Sequence, residues 1–272
     1  MIINGHRIEP NADLSFLELQ DAKMSMAMMT NASAIACNLD RSELRYAKMS
    51  KINLSGASLE NADCSGADLN HSRIKASIGT HSVFIGANMS ECVLALSDLA
   101  DSILTNCQLY KADLRGVNLA RSNLLSATVP EARLDFSDLS QCNMDKSDFT
   151  GSNLTGVHMI NASGRWALWN DCVFNLADLS WGNYYDSKFV HAVCFQADLS
   201  NCNFAMADFA DANLMNANLS AASLQRANLK NANLDGANLS RANLLDAKIT
   251  FEQLSYASSL SGTVMPDGTV HR

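Results

Sequence analysis

The sequence repeats itself every five residues over most of its length. The clearest copies lie between Ala207 and Ala247, where each contains alanine, then asparagine or aspartate, then leucine or phenylalanine, then two variable positions. Neither the 3.6-residue period of a helix nor the two-residue period of a flat strand produces a five-residue hydrophobic period. A repeat architecture is therefore the first interpretation to test.

The five-residue register runs from Leu14 to Leu254 without insertion or deletion, which gives 49 central positions. We call the central position i. At 44 of the 49 sites position i is a large apolar or aromatic residue, and position i−2 is almost always small. This pattern predicts a solenoid in which each pentapeptide forms one side of a coil and points i and i−2 inward. The other three positions are expected to face water.

The tandem A(D/N)LXX pattern, as in Ala212-Asn213-Leu214, resembles the pentapeptide-repeat family. The resemblance implies an all-β fold, a right-handed quadrilateral β-helix with four pentapeptides in each 20-residue coil. About twelve coils are then expected over residues 12–254. Stacked at about 4.8 Å, like neighbouring strands, they would form a rod about 60 Å long.

Both ends of the chain look like caps. Residues 1–11 form the predicted N-terminal cap, in which Ile2, Ile3 and Ile8 are expected to cover the first coil. Residues 250–272 form the predicted C-terminal cap helix and tail. Thr250 and Gln253 have the spacing of a capping box, so a short helix is predicted over residues 251–258. The tail contains Pro266-Asp267-Gly268, which indicates a turn.

The composition narrows the class of protein. With 20 basic and 28 acidic residues the net charge is −8, which argues against direct binding to nucleic acid. No apolar run reaches the length of about 20 residues that a membrane span needs, and the first ten residues lack the order of a secretion signal. A cytoplasmic location without membrane contact is the expectation.

No residue pattern indicates an enzyme. All eight cysteines fall on positions i or i−2, so they are predicted to be buried, reduced and structural. The six histidines show no metal-binding spacing and are interpreted as surface residues. A solid interior leaves no pocket of the kind that enzymes use. We expect no catalytic residue, no metal and no cofactor.

The outward charges concentrate on one side of the coil, which we call the acidic side: the pentapeptides centred on Leu19, Leu39 and every twentieth residue after them. This side carries −6 of the total charge of −8. Aspartate at i−1 belongs to the family consensus, so a merely solvated face is the competing interpretation. The candidate partner-binding residues here are Asp98, Asp101, Asp138, Asp178 and Asp198.

Aromatic residues at outward positions form the second candidate surface. Trp166 and Trp181 at i+2, and Tyr185 at i+1, are expected to face solvent within about one coil of each other, with Arg165 stacked under Tyr185. Tryptophan, tyrosine and arginine are favoured interface anchors. A local bulge that tucks these rings away is the alternative.

These features favour a non-enzymatic protein-interaction scaffold that binds a partner protein through the acidic side and the region of Trp181. The resemblance also implies two more specific alternatives. The first is DNA mimicry toward a type II topoisomerase such as DNA gyrase, with protection against fluoroquinolone antibiotics and a homodimer joined at the C-terminal end. The second is a regulatory partner of a transcription factor, which the chain resembles chiefly in its tail.

Overall fold

The computed structural model describes all residues from 1 to 272, and they divide into two compact units. Unit 1 is Met1–Asp138 and unit 2 is Leu139–Arg272. Regular elements are few and short. In unit 1, β1 (Ile2–Ile3) pairs antiparallel with β2 (His6–Arg7). In unit 2, α1 spans Phe251–Ser255. Most of the rest of each unit is built from pentapeptides.

Nearly every pentapeptide bends the chain in the same way. In the turn from Leu19 to Ala22, the N–H of Ala22 donates to the carbonyl of Leu19 at 3.3 Å, and Asp21 at i+2 has φ = 58°. A positive φ at the third residue of a four-residue turn is the mark of a type II turn. Position i+2 therefore has left-handed backbone, which glycine, asparagine and aspartate tolerate best.

The backbone of each coil pairs with the backbone of the next coil. The N–H of Leu19 donates to Asn38 at 2.8 Å, and the N–H of Asn38 donates to Leu17 at 2.9 Å. Parallel bridges join Glu18 to Asn38 in unit 1 and Asp178 to Asp198 in unit 2, and equivalent bridges recur at five-residue steps. Each coil thus contains four pentapeptides. The count of about twelve coils stays a prediction.

The interior is filled by positions i and i−2, as the register predicts. The register places Phe149, Trp169, Phe189 and Phe209 on one side of successive coils of unit 2, where they form an aromatic ladder. Phe149 and Trp169 stack with ring centroids 4.5 Å apart, and Phe189 and Phe209 stack at 4.7 Å. Gly164 falls on a central position. A Cβ there would lie 2.9 Å from the Trp169 ring, so neighbouring aromatic rings occupy the space that the glycine leaves.

Small polar side chains fit the same interior. All eight cysteines are buried and free, and burial raises the pKa of the Cys64 and Cys107 thiols to about 12. Several buried serines at i−2 donate to a nearby carbonyl, as Ser42 does to Leu39 at 2.6 Å and Ser137 to Leu134 at 2.7 Å. These hydrogen bonds satisfy hydroxyls that would otherwise be costly to bury.

The first residues contribute less to the interior than expected. Ile8 is buried, whereas Ile2 is exposed. The chain reverses at Asn4 and Gly5, both with positive φ, a combination that suits the tight turn of a hairpin. Ile2 lies in β1 on the exposed part of this hairpin, so of the three isoleucines only Ile8 is fully covered.

The capping box at the start of α1 is formed. Thr250 accepts from the N–H of Gln253 at 3.2 Å, and the Gln253 side chain accepts from the N–H of Thr250 at 3.1 Å. The helix ends at Ser255, three residues earlier than predicted, because the N–H of Ser258 already donates to Ala237 of the adjacent coil at 2.8 Å. Backbone pairing then resumes in a register shifted by one, as between Asn238 and Ser259.

The tail folds back on itself. The N–H of Gly268 donates to Met265 at 2.9 Å, which closes the predicted Pro266-Asp267-Gly268 turn. Val264 and Val270 then form an antiparallel bridge. The tail is therefore held both by this bridge and by the parallel bridge between Asn243 and Val264.

Replacement of a ring in the aromatic ladder should be costly. We expect Phe189→Ala to lower the free energy of unfolding by about 3–5 kcal/mol, because it leaves a cavity between Trp169 and Phe209. Denaturant titration measures the loss. Phe16→Ala, which removes an exposed ring, should change the free energy by less than about 0.5 kcal/mol. Equal losses in the two variants would contradict the ladder's structural role.

Candidate interaction surfaces

An aspartate or asparagine at i−1 has the same structural role on every side of the coil. Its side-chain oxygen accepts a hydrogen bond from the backbone N–H two residues later, as in Asn38 to Asp40 at 3.0 Å and Asp98 to Ala100 at 3.1 Å. This is the Asx turn, which aspartate and asparagine both form. The consensus aspartate therefore has a local function in folding, and asparagine differs from it there chiefly in charge.

In unit 1 the acidic side carries seven acidic residues against two arginines, a net charge of −5. Each arginine binds one carboxylate: Arg121 contacts Asp101 through two hydrogen bonds of 2.8 and 2.6 Å, and Arg41 contacts Asp21 through two of 2.8 Å. The hydrogen bonds from Arg121 hold the pKa of Asp101 below its usual range.

At Asp98, on the same side of unit 1, the hydrogen-bond donors are neutral groups. Its Oδ1 accepts from the N–H of Ala100 at 3.1 Å and from Asn118 Nδ2 at 2.9 Å. Asp138 is partly exposed at the equivalent i−1 position two coils further on. The surplus negative charge of unit 1 thus lies mainly on a single side.

In unit 2 the acidic side is weaker, with Asp178 and Asp198 against one arginine. Both aspartates form Asx turns, to Ser180 and Ser200, each at 2.9 Å. Trp181 lies on this side with 63% of its surface exposed and makes no ring contact with Trp166 or Tyr185. The proposed surface in unit 2 therefore consists of two separate parts.

The second part joins three of the predicted residues. Trp166, which is 42% exposed, meets Tyr185 edge to face with ring centroids 6.2 Å apart. The Arg165 guanidinium lies 5.1 Å from the centre of the Trp166 ring. The expectation that Arg165 stacks under Tyr185 is corrected here, because its guanidinium contacts Trp166 and the carboxylate of Asp145 instead. The Tyr185 hydroxyl donates to Met206 Sδ at 2.9 Å.

Asp145, which the sequence reasoning missed, fixes Arg165. It occupies an outward i+1 position yet is buried, and it accepts from Arg165 Nε at 2.8 Å, the Arg165 N–H at 2.9 Å and Ser163 Oγ at 2.6 Å. Burial raises the pKa of Asp145, but these hydrogen bonds outweigh burial and hold the pKa below its usual value. The pair therefore holds the guanidinium against Trp166.

Two further findings concern other kinds of site. No group of three or more histidine, cysteine or acidic side chains is arranged to hold a metal ion. The one helix, α1, has five residues, so no helix in the structure is long and apolar enough to cross a bilayer.

Coils of four pentapeptides, with i and i−2 inside, define a class of protein: the β-helices built from five-residue repeats. A sequence profile described as pentapeptide repeats matches eight copies in this chain, within residues 37–75, 82–121, 132–163, 192–229 and 222–251. The chain belongs to the pentapeptide repeat family. Its members fold as right-handed quadrilateral β-helices and are generally non-enzymatic interaction proteins.

Solved structures resemble the chain to different degrees. HetL, a pentapeptide repeat protein involved in heterocyst differentiation regulation from the cyanobacterium Nostoc sp. strain PCC 7120, is 29% identical. The match covers 81% of this chain and 92% of HetL with a TM-score of 0.56. QnrB1, a plasmid-mediated fluoroquinolone resistance protein, is 17% identical over 74% of this chain and 87% of its own, with a TM-score of 0.36. No curated protein matches significantly.

Loss of the Asp145 charge should destabilise the protein in a pH-dependent way. We expect Asp145→Asn to lower the free energy of unfolding by about 1.5–3 kcal/mol at pH 7, the range for hydrogen bonds to charged groups. Because folding lowers this pKa, the contribution is present above the ordinary value of 3.8 and is lost as the pH falls through the lower, folded-state pKa. Denaturant titrations at pH 7 and pH 3 measure the difference.

The matched control is Asp40→Asn in unit 1. Asp40 also accepts from a serine hydroxyl and a backbone N–H, from Ser58 and Glu60, but it has no arginine at the position equivalent to Arg165. This variant should be less destabilised at pH 7. A loss at Asp145 that does not shrink toward pH 3 would contradict the assigned role of the ion pair.

Proposed function

We propose that this protein is a non-enzymatic scaffold that binds a partner protein through the acidic side, with the Trp181 and Trp166 regions as additional contacts. The observation that carries the proposal is the charge of unit 1, where one side of the coil carries seven acidic residues and only two arginines. Such a field attracts a basic surface and weakens with added salt. The scaffold itself needs little ordering on binding, because its backbone is already paired.

A role in regulation is the form of this proposal that the comparisons favour. The chain aligns with most of HetL, and HetL is described as involved in heterocyst differentiation regulation. We propose that the partner is a regulatory protein with a basic contact surface. The proposed cytoplasmic location agrees with such a partner.

The proposed surface can be neutralised without disturbing its turns. In the fourfold variant Asp98→Asn, Asp138→Asn, Asp178→Asn and Asp198→Asn, asparagine retains the Asx turn and removes four charges. With the protein as bait in a lysate of its source organism, we expect recovery of the specific partner to fall about tenfold or more. Quantitative mass spectrometry measures recovery at low and high salt.

The control is the double variant Asp68→Asn and Asp208→Asn, on another side. Asp208 has nearly the same hydrogen bonds as Asp198: from Ala210 at 3.1 Å and from Asn228 Nδ2 at 2.8 Å. This control should retain the partner. Recovery that is equal in the fourfold variant, the control and the unaltered protein would refute the acidic side as the contact.

DNA mimicry toward DNA gyrase is the alternative that the same acidic side supports. A row of carboxylates on one side can imitate a row of phosphates. The likeness to QnrB1 adds no support, because its TM-score is only 0.36. A homodimer joined at the C-terminal end belongs to this alternative alone.

A gyrase assay separates the alternative from a regulatory partner. If the chain is a mimic, it should restore gyrase supercoiling in the presence of a fluoroquinolone, and the fourfold asparagine variant should restore much less. Agarose-gel separation of plasmid topoisomers measures both. No restoration at a molar excess of the protein would exclude mimicry and leave the scaffold proposal intact.

A further inference from the structure

One edge of the coil in unit 1 is apolar throughout. It is the row of residues at i+2 that follows the side centred on Leu14, Ala34 and every twentieth position after them, and we call this row the apolar edge. Of the other three such rows in unit 1, two contain only polar or charged residues, and the third includes Asn106 and Ser126. The apolar edge consists of Phe16, Ala36, Gly56, Ala76, Leu96, Gly116 and Phe136.

Leu96 and Phe136 are in positions that suit them poorly. Leu96 is 64% exposed with φ = 63°, and Phe136 is 70% exposed with φ = 58°. Left-handed backbone costs bulky residues about 1–2 kcal/mol, and water around an apolar side chain adds to this cost. Asparagine tolerates the same backbone, as Asn106 does with φ = 57°. Neither backbone preference nor burial explains why these two positions hold apolar side chains. A role in binding explains them better.

Gly116 makes a notch between these two side chains. A Cβ at Gly116 would lie 2.9 Å from Leu96 Cδ2, so the leucine leans over the glycine. The notch opens into a cavity of about 450 Å³ that Leu96, Gly116 and Phe136 line together with Lys75 and Arg115. All of these residues belong to unit 1.

Opposite charges flank the notch. Between residues 73 and 135, the side that precedes the edge carries four basic and two acidic residues, a net charge of +2 in a chain of −8. Arg115 is held by Asp113 through hydrogen bonds of 2.7 and 2.6 Å, whereas Arg73 and Lys75 have no carboxylate within ion-pair distance. On the other flank, Asp98 follows Leu96 by two residues along the acidic side.

The spacing of the anchors indicates the shape of the ligand. Leu96 and Phe136 are two coils apart, which is about 9.6 Å at the usual spacing between neighbouring strands of about 4.8 Å. Residues seven apart in an α-helix are separated by about 10.5 Å, close to this distance. Same-face residues of a strand recur at about 6.6 Å and do not match it.

We infer that the apolar edge between Leu96 and Phe136 binds an amphipathic helix of a partner protein, which inserts an apolar side chain at Gly116. One flank of the helix carries acidic residues that face Arg73 and Lys75, and the other carries basic residues that face the acidic side. This arrangement is the helix-in-groove mode of recognition. The inference rests on the proposed function in that the partner is a protein, and it adds a second contact surface.

The probe is a synthetic amphipathic helical peptide. It has leucines at heptad spacing, glutamates on one flank and lysines on the other. We expect saturable binding by fluorescence anisotropy. Gly116→Asn places a side chain in the notch and displaces Leu96, whose Cδ2 lies 2.9 Å from an added Cβ, while asparagine suits the left-handed backbone. The double variant Leu96→Asn and Phe136→Asn removes the anchors. Both should weaken binding at least tenfold while thermal unfolding shows an intact fold.

Two controls accompany the test. Gly86→Asn changes a glycine of the same unit with φ = 64° and no atom within 4 Å of an added Cβ, so it should bind the peptide normally. A peptide of the same composition with scrambled order should bind at least tenfold more weakly.

Three results would overturn the inference: no saturable binding, equal binding by Gly116→Asn and Gly86→Asn, or dimerisation of the protein that the double variant abolishes. The last result would assign the edge to a second copy of this chain. None of the three substituted positions is part of the fourfold aspartate variant. If the peptide test fails while the acidic side still captures its partner, the inference about the apolar edge is therefore refuted and the proposed function is not.

Discussion

The backbone pairing between successive coils, at a 20-residue offset, is the constraint on which the rest of the structure depends. It places equivalent residues of successive coils in columns. With the backbone fixed in this way, little can vary between coils except the identity of the side chains. It also fixes the left-handed backbone at i+2, because the hydrogen bonds on both sides of each turn hold it in place. The helix α1 shows the effect by contrast, since one additional residue there changes the offset from 20 to 21.

The same constraint explains why consensus aspartate is ambiguous as a functional signal. At i−1 its oxygen accepts the N–H at i+1, and Asn38 does this as well as Asp98. A side-chain oxygen at i−1 thus has a local role in folding, whereas a negative charge there has none. What needs explanation is the excess of aspartate and glutamate over lysine and arginine on one side of unit 1, since the Asx turn gives no reason for it.

The five-residue register, together with the four-sided coil that the family resemblance implies, predicted most of the fold. It placed the cysteines inside, aligned Phe149 with Trp169, and left Trp181 exposed, because each result follows from the column in which a residue falls. It could not predict that Arg165 would contact Trp166 and Asp145, since a long side chain chooses among neighbours by rotamer and charge. The apolar edge was within reach of the sequence, but only by sorting the side chains at i+2 into columns as well as the charges.

In the binding mode that we propose, the two surfaces of unit 1 have complementary physical roles. Charges exposed to solvent mainly speed the encounter with a partner and give little affinity, because water and salt screen them. Exposed apolar anchors beside a notch can give affinity, because their burial releases water and removes the cost of leaving them exposed. Asp98 and Leu96 are two residues apart, so a partner attracted by the acidic side arrives beside the apolar edge. Recognition is more specific if a partner must match both surfaces at once.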